Sequence, residues 1–337
     1  MPLRWGIASA GLISHDFVTA FNSYPDVGDQ LIVAVAARDK KRATDFAHLH
    51  NINKVFDSYE SLAKSSDIDV AYIGVVNTEH HKIAKLFLEN GKHVLCEKPL
   101  CMNFKQAQSL INIAKKKKLF LMEAVWSRFS PACKSLEKEL QSGQLGDPKF
   151  VEVDFGVQIV SVERLWKKSL GGGAVLDIGI YALQFAQYIF KDEPLKVTAV
   201  GKLNKEGVDI TETIILEYSE DRKAVLNVDT TLTLWNKATV VGTKGRATLE
   251  DSFHFPDRLI HADGSIEKFQ LHATKFKTNF HNSAGLVYQA LEVCRCIKTG
   301  LLESPRMSHD DSLVLAKLED MVRKQLGVHY DVDDQDF

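Results

Sequence analysis

The stretch RWGIASAGLISHDFVTAFNS, residues 4–23, decides the fold of the first half of the chain. The apolar run RWGIAS predicts a buried strand, and LISHDFVTAFNS has the periodicity of an amphipathic helix. Gly6, Ala8 and Gly11 match the G-x-(G/A)-x-x-G pattern of a phosphate-binding turn. A turn with a purely structural role would show the same pattern. Backbone N–H groups at such a helix N-terminus favour an anion. The predicted dinucleotide contacts here are Gly6, Ala8, Gly11, Leu12 and Ile13.

The alternation of strands and helices continues to about Met122. Further strands are predicted at QLIVAVAA, DVAYIGVV and HVLCE, and further helices at DKKRATDFAHLH, His81–Glu89 and FKQAQSLINIAKKKK. Apolar strands that alternate with amphipathic helices are typical of a parallel sheet covered on both faces. The sequence therefore predicts an α/β fold, with a Rossmann-type, doubly wound dinucleotide-binding domain over residues 1–123.

The pattern changes after Met122. A helix is predicted at PACKSLEKELQSG, followed by strands separated by short turns: FVEVDFGVQIV, VTAVGKL, TETIILEY, AVLNVDTTL, KATVVGT and RATLED. Two closing helices are predicted near Ser283–Lys298 and His309–Leu326. Residues 124–337 are therefore expected to form a C-terminal α+β domain with an open, largely antiparallel sheet that binds substrate and mediates dimerisation.

The composition excludes several classes of partner. The 337 residues include 42 basic and 44 acidic ones, a balance that predicts no nucleic-acid or membrane-surface binding. The apolar runs are shorter than the about 20 residues of a membrane span, and MPLRWGIASAG lacks a signal-peptide layout. Five cysteines without paired ligand spacing favour a reducing compartment and no metal. We therefore expect a cytoplasmic protein.

Basic residues follow the second predicted strand, where the adenine ribose of a dinucleotide would lie. Arg38 and Arg42 could hold a 2′-phosphate, which favours NADP over NAD. An alternative is that Asp39 caps a helix and the basic residues behind it are solvated. Asp39 also leaves room for NAD.

The stretch CEKPL, residues 96–100, follows a predicted strand at the sheet edge where open α/β sheets bind ligands. Pro99 restricts the backbone of Lys98, so the lysine is held in a defined direction. A positioned ammonium can hydrogen-bond a reacting hydroxyl. A lysine in an ordinary strand-ending turn is the alternative.

The stretch GGGAVLDIGIYALQF, residues 171–185, predicts close backbone approach to a ligand or to another segment, followed by a helix. Asp177 and Tyr181 are four residues apart and so share a face of that helix. A tyrosine can transfer a proton if a neighbouring positive charge lowers its pKa, and Lys98 is the candidate for that charge. A buried tyrosine with a satisfied hydroxyl is the alternative.

Together, the N-terminal turn, the EKP tripeptide after the fifth strand and GGG-x-x-x-D-x-G resemble the glucose-fructose oxidoreductase, inositol dehydrogenase and rhizopine catabolism (Gfo/Idh/MocA) family over nearly the whole chain. Within the family, GIASAG-x-IS, AARD, VVNTEHH, CEKPL, EAVWSRF and GGGAVLDIGIYALQF are similar to a branch that oxidises trans-dihydrodiols of aromatics and D-xylose with NADP. Many other members carry histidine where this chain has Tyr181, which favours this branch.

The resemblance implies roles for individual residues. Lys98 and Tyr181 would form the catalytic pair, and Asp177 would orient the sugar or the tyrosine helix. The residues implied on the NADP side are Arg38, Arg42, Asn77, His80, Glu97 and Lys98.

The resemblance also leads to expectations about the substrate pocket and about the oligomeric state. The resemblance implies that Trp126, Phe155, Phe255 and Phe280 surround the substrate, although each is individually typical of a core position. It also implies a homodimer formed through the half-apolar face of the strands from Val197 to Val241.

Three other functions remain open at this point. The first is a different sugar or polyol dehydrogenase of the family, of the inositol or glucose type. The second is an NADPH-binding sensor or scaffold without turnover. The third is a sugar-binding module with a relic nucleotide fold, which an intact Lys98 and Tyr181 disfavour, as they do the second.

Overall fold

The computed structural model describes residues 2–337, which divide into two compact units that interleave along the chain. The first unit comprises the residues up to Cys101, Lys105–Trp126 and Leu271–Ser312. The second unit comprises Met102–Phe104, Ser127–Gln270 and Leu313–Phe337. The sequence prediction placed a single break between residues 123 and 124. A late segment of the chain instead belongs to the first unit.

Strands and helices alternate strictly up to residue 124. The strands are β1 (Leu3–Ala8), β2 (Gln30–Ala36), β3 (Lys54–Phe56), β4 (Val70–Ile73), β5 (His93–Glu97) and β6 (Leu121–Ala124). The helices are α1 (Leu12–Ser23), α2 (Lys40–His50), α3 (Tyr59–Lys64), α4 (His80–Glu89) and α5 (Phe104–Lys117).

The six strands form one parallel sheet in the order β3-β2-β1-β4-β5-β6. Strands β1, β4, β5 and β6 are almost fully buried because helices cover parallel sheets on both faces, whereas the edge strand β3 is largely exposed. The order in which successive strands are added to the sheet reverses between β1 and β4. Ligands bind at such a switch point, in the crevice outside the carboxyl ends of the strands.

Residues 127–270 form the second sheet and its helices. The helices are α6 (Pro131–Ser142), α7 (Glu163–Trp166) and α8 (Ile180–Phe190), and a π-helical turn, Val175–Gly179, runs directly into α8. The strands are β7 (Pro148–Gly156), β8 (Lys196–Leu203), β9 (Asp209–Glu217), β10 (Lys223–Asp229), β11 (Lys237–Gly242), β12 (Arg246–Leu249), β13 (Arg258–Ile260) and β14 (Ile266–Lys268).

This second sheet has eight strands in the order β14-β13-β12-β11-β7-β10-β9-β8. All neighbouring pairs are antiparallel except β7 and β10, which run parallel. The predicted fold class, a Rossmann domain followed by an α+β part with a largely antiparallel sheet, is confirmed. The last two helices are α9 (Val287–Lys298) and α10 (His309–Leu326).

Helix α8 forms the centre of the second core, because every one of its residues from Ile180 to Phe190 is buried. The longer helical stretch Lys168–Phe190 is apolar enough to cross a membrane by length and composition alone, yet 94% of its most apolar window is buried inside the protein. Such a stretch is also typical of the core helix of a globular unit.

Candidate active site

The turn from β1 into α1 begins later than the sequence pattern predicts. Gly6 and Ala8 lie inside β1, both buried and paired with β2 and β4. A Cβ on Gly6 would lie 2.7 Å from the Cδ1 atom of Ile68, so this glycine permits close packing within the unit. The predicted placement of Gly6 and Ala8 in the turn is therefore wrong. The turn consists of Ser9, Ala10 and Gly11.

The turn has the backbone of a dinucleotide fingerprint, shifted by three residues. Ser9 has a φ of 129°, a region that glycine adopts far more readily than serine. The Ser9 hydroxyl accepts a hydrogen bond from the Gly11 N–H at 3.1 Å. A Cβ on Gly74 would lie 2.5 Å from the Ser14 Oγ atom, so α1 packs closely on the end of β4. Ser9, Gly11 and Ser14 thus take the three positions that glycines usually fill.

The N-terminus of α1 offers backbone donors to an anion. Its N-cap is Gly11, which has no side chain to accept the first N–H groups, and its first turn contains no acidic residue. Leu12 is 62% exposed, so solvent reaches this turn. The predicted contacts of Leu12 and Ile13 with a pyrophosphate fit this geometry and remain predictions.

Two arginines follow β2, as the sequence predicts. Arg42 lies in the first turn of α2, and its guanidinium donates to the Ala10 carbonyl at 3.3 Å. It therefore lies beside the turn that would hold the phosphates. Arg38 is exposed at the end of the strand. Burial raises the pKa of the Tyr59 hydroxyl, and the positive charge of Arg38 partly offsets this rise.

Asp39 is the N-cap of α2, as the alternative interpretation of this stretch proposed. Its Oδ1 atom accepts hydrogen bonds from the Lys41 N–H at 2.8 Å and the Arg42 N–H at 3.2 Å. This carboxylate oxygen is thus occupied by the helix backbone. The two interpretations are compatible, because the cap engages Asp39 with the backbone of α2 and leaves Arg38 and Arg42 exposed.

His80 joins the turns that follow β4 and β5. Its ring is buried, with Nδ1 2.7 Å from the Pro99 carbonyl oxygen and Nε2 3.1 Å from that of Val75. Burial, together with the nearby Lys98 charge, lowers the pKa of His80 to about 4, so the ring is neutral near pH 7. A neutral imidazole has one N–H and can donate to one of these carbonyls at a time. Asn77 begins the short 3₁₀ turn before α4.

The CEKPL turn is fixed directly after Lys98. Pro99 accepts the His80 contact, and the Leu100 N–H donates to the Glu123 carboxylate at 2.8 Å. The Lys98–Pro99 peptide bond is cis. Lys98 itself is half-buried. A firmly held, partly exposed lysine at the carboxyl end of β5 fits its predicted role.

Glu97 faces the interior of the first unit. Its Oε1 atom accepts a hydrogen bond from the Tyr72 hydroxyl at 2.7 Å, and burial raises the pKa of the Glu97 carboxyl to about 7. Tyr72 in turn stacks on Phe17, with ring centroids 4.0 Å apart. The predicted contact of Glu97 with the nicotinamide remains a prediction.

The glycine run Gly171–Gly173 permits a close approach of backbone to backbone. A Cβ on Gly172 would lie 2.4 Å from the Leu165 carbonyl oxygen, and the Gly172 N–H donates to the Lys167 carbonyl at 3.0 Å. Of the two alternatives that the sequence left open, approach to another chain segment is therefore the one observed here.

Asp177 and Tyr181 lie on the continuous helix that this run introduces. Asp177 belongs to the π-helical turn and forms an ion pair with Arg164 at 2.8 Å. Tyr181 belongs to the first turn of α8 and is 6% exposed. Lys98 belongs to the first unit and Tyr181 to the second, and their pairing remains a prediction.

Aromatic rings surround Tyr181 in the second unit. The Phe155 ring lies 5.9 Å from the Tyr181 ring, edge to face. The His254 ring lies 5.5 Å from Tyr181 and stacks on Phe155 at 5.1 Å. Sequence analysis predicted Phe155 and missed His254, because a single histidine in the irregular stretch DSFHFPD follows no recognisable pattern.

The other predicted aromatics lie in different surroundings. Phe255 is fully buried, so it belongs to the core of the second unit. Trp126 is 4% exposed and begins a 3₁₀ turn just after β6. Phe280 is 40% exposed and belongs to the segment 271–312 of the first unit. The pocket roles of Trp126 and Phe280 remain predictions.

Asp16, in the second turn of α1, holds Phe280 and its neighbours in place. The buried carboxylate accepts hydrogen bonds from the backbone N–H groups of Asn279 and Phe280, at 2.8 to 2.9 Å and 2.9 Å, and from the Ser283 hydroxyl at 2.6 Å. Asn279 also donates to the Leu12 carbonyl at 3.4 Å. Phe280 is thereby fixed beside the N-terminal end of α1.

The strand order, the open turn after β1 and the bare helix N-terminus at the switch point define a dinucleotide-binding Rossmann protein. Comparison with known families agrees. The family described as "Oxidoreductase family, NAD-binding Rossmann fold" (GFO_IDH_MocA) matches residues 3–125, and "GFO/IDH/MocA C-terminal domain" matches residues 134–248.

Curated relatives match along almost their entire length. The chain is 46% identical over 331 residues to the trans-1,2-dihydrobenzene-1,2-diol dehydrogenase of Xenopus tropicalis, covering 98% of this chain and 100% of the relative. It is 40% identical over 334 residues to the protein of the same name from Homo sapiens, covering 99% of each. The chain belongs to the Gfo/Idh/MocA oxidoreductase family, which confirms the predicted family and the predicted NAD(P)-binding domain.

Solved structures share the fold. The 3-ketoreductase KijD10 of Actinomadura kijaniata, solved with NADP and TDP-benzene, superposes with a TM-score of 0.79 at 24% identity, covering 96% of this chain and 98% of that one. The aldose-aldose oxidoreductase of Caulobacter crescentus gives 0.83 at 21% identity, covering 97% and 98%. At these identities the likeness concerns the fold alone.

Proposed function

We propose that this oxidoreductase is an NADP-dependent dehydrogenase that transfers hydride between a secondary alcohol or sugar hydroxyl and NADP. Its substrates are trans-dihydrodiols of aromatics, D-xylose and related pentoses and hexoses. The observation that carries the proposal is the full-length identity of 40% to 46% with dihydrodiol dehydrogenases, combined with an intact Lys98 and Tyr181. The protein is further proposed to work in the cytoplasm, without nucleic-acid or membrane partners.

NADP is favoured over NAD by the charge at the end of β2. Arg42 already contacts the turn at Ala10, and Arg38 is exposed four residues before it. Two guanidinium groups suit a 2′-phosphate, whereas NAD recognition generally uses a carboxylate at this place. Asp39, the one carboxylate here, caps α2 through its Oδ1 atom.

Replacing Arg38 by alanine is expected to raise the KM for NADP+ by about 10- to 100-fold, the usual cost of a lost charge-assisted hydrogen bond. The KM for NAD+ should not change, because NAD+ lacks the 2′-phosphate. Steady-state kinetics with both cofactors measures the difference. Lys41→Ala, which removes an exposed charge from the same helix, is the matched control and should leave both values unchanged. Equal effects of Arg38→Ala on the two cofactors would contradict this assignment.

In the proposed reaction, the bound nicotinamide supplies the hydride acceptor. The Tyr181 phenolate accepts the proton of the substrate hydroxyl, while the adjacent carbon loses its hydride and becomes a carbonyl carbon. The Lys98 ammonium stabilises the phenolate and donates a hydrogen bond to the reacting oxygen. Asp177, held by Arg164, fixes the turn that leads into the tyrosine helix.

A panel of substrates tests the proposal. Reduction of NADP+ and NAD+ is followed by absorbance with D-xylose, D-glucose, myo-inositol and trans-dihydrobenzenediol. The proposal predicts the highest kcat/KM for NADP+ with D-xylose or the diol. A preference for myo-inositol or D-glucose would favour another dehydrogenase of the family. NADPH binding without any turnover would indicate a sensor or scaffold, and absence of cofactor binding would indicate a relic fold.

The protein is further proposed to form a homodimer through the second sheet. Along β8, β9 and β10, inward side chains are buried while outward ones remain accessible. The outward residues include Thr198 and Val200, which pair with Ile215 and Thr213 of the next strand. Val200 is 65% exposed. An outward face with this apolar content is typical of a surface that another subunit covers.

Placing lysines at Val200 and Ile215 is expected to raise the dimer dissociation constant by about 100-fold or more, because two charges would be buried without partners. Sedimentation velocity at micromolar concentration measures the change from dimer to monomer. Leu49→Lys, on α2 of the first unit, is the control and should remain dimeric. A monomeric parent protein would contradict the proposal.

A further inference from the structure

The stretch Phe253-His254-Phe255 leaves its middle side chain partly exposed and buries the other two. Phe253 is 1% exposed and Phe255 is fully buried, whereas His254 is partly exposed. The backbone of this stretch is fixed, because the Phe253 N–H donates to the Asn236 carbonyl at 3.0 Å and the Ser127 hydroxyl donates to the His254 carbonyl. The imidazole is therefore held at a defined place by two buried phenylalanines.

The ring of His254 lies within the aromatic cluster around Tyr181. It stacks on Phe155 with an interplanar angle of 20° and a centroid distance of 5.1 Å. Its centroid lies 5.5 Å from that of Tyr181, at an interplanar angle of 59°. The imidazole and the Tyr181 ring are therefore direct neighbours in one aromatic cluster of the second unit.

The imidazole differs chemically from the ring beside it. Phe155 offers an apolar face, which suits an aromatic diol or the carbon side of a sugar. A neutral histidine has one N–H donor and one acceptor nitrogen, and both are complementary to hydroxyl groups. A pentose in its six-membered ring form carries a hydroxyl on each carbon from C1 to C4, whereas trans-dihydrobenzenediol carries two hydroxyls and is otherwise apolar. A polar edge thus contributes more to the binding of the sugar.

We propose that His254 is a specificity-determining residue of the substrate site, where its imidazole hydrogen-bonds a non-reacting hydroxyl and favours polyhydroxylated substrates over apolar diols. The proposal rests on the proposed dehydrogenase function and narrows its substrate class to sugars and other polyols. Phe155 provides the stacking surface that keeps the imidazole plane in place.

His254→Phe tests the proposal, because phenylalanine preserves the ring and its stacking but removes both nitrogens. The kcat/KM for D-xylose is expected to fall by about tenfold, the usual effect of one hydrogen bond to a neutral hydroxyl, while that for trans-dihydrobenzenediol stays the same or rises. His254→Gln restores a donor and an acceptor and should recover part of the D-xylose activity. His48→Phe, at an exposed position on α2, controls for the loss of a histidine elsewhere.

Binding of D-xylose to the NADPH complex, followed by the fluorescence of the reduced nicotinamide, provides a second readout that needs no turnover. If His254→Phe binds D-xylose tenfold more weakly than the parent protein, the role of His254 is supported. If no substrate reacts in the same preparation, only the proposed dehydrogenase function fails. An unchanged ratio of D-xylose to diol activity, together with unchanged D-xylose binding, overturns the role of His254 and leaves the dehydrogenase function intact. Absence of D-xylose binding to the parent protein also overturns it.

Discussion

Replacing Tyr181 by phenylalanine is expected to lower kcat by about 10²- to 10⁴-fold, the usual contribution of a positioned acid or base. The substitution removes one oxygen from a ring that is 6% exposed and packed against both Phe155 and His254. The packing should survive, because the ring itself is unchanged. The dissociation constant for NADPH, measured by fluorescence titration, should therefore stay within about twofold of the parent value.

The same helix supplies the control for this variant. Tyr188 is also buried in α8, and its hydroxyl donates to the Cys133 carbonyl at 3.2 Å. Tyr188→Phe should lower the free energy of unfolding by about 1 kcal/mol and leave kcat unchanged. If Tyr181→Phe retained full activity, or if both variants lost activity equally, Tyr181 would not be the proton-transfer residue.

Replacing Lys98 by methionine is expected to lower kcat by about 10²- to 10³-fold, because the charge that stabilises the phenolate and the developing oxyanion is lost. The turn itself should persist, since Pro99 and Leu100 are held by His80 and Glu123 through backbone atoms. The residual activity should keep rising to a higher pH than that of the parent protein, because without Lys98 a higher pH is needed to form the phenolate. A pH profile of kcat tests this.

Lys92, at the opposite end of β5, is the control for Lys98. Its ammonium donates to the carbonyls of Ser65 and Ile68 at 2.6 and 2.9 Å, a purely structural role far from the carboxyl edge of the strand. Lys92→Met should reduce stability and leave kcat unchanged. A fully active Lys98→Met variant would remove the lysine from the mechanism.

The periodicity of the sequence predicts the first sheet well, because parallel strands buried on both faces are continuous apolar runs and the helices between them are amphipathic. The exact position of the nucleotide-binding turn is not predicted correctly. The pattern at Gly6, Ala8 and Gly11 places the turn three residues too early, since Ser9 adopts a positive φ and Ser14 takes a packing position that glycine usually fills. Residue identity alone does not reveal either substitution.

Long-range features were least predictable. Leu271–Ser312 returns to the first unit, where the Asp16 carboxylate accepts hydrogen bonds from residues more than 260 positions away. The parallel pairing of β7 with β10 likewise has no local signal, because alternation indicates a strand but not its partner. His254 could be recognised only once its ring was seen beside Tyr181.

The proposed function requires that this protein moves a hydride from a substrate carbon to NADP+. The most direct measurement uses D-xylose deuterated at C1 and trans-dihydrobenzenediol deuterated at its carbinol carbons, each incubated with the protein and NADP+. Mass spectrometry of the recovered cofactor should show one deuterium on the reduced nicotinamide with at least one of the two substrates. Failure of both substrates to transfer deuterium, in a preparation that binds NADPH, would contradict the claim.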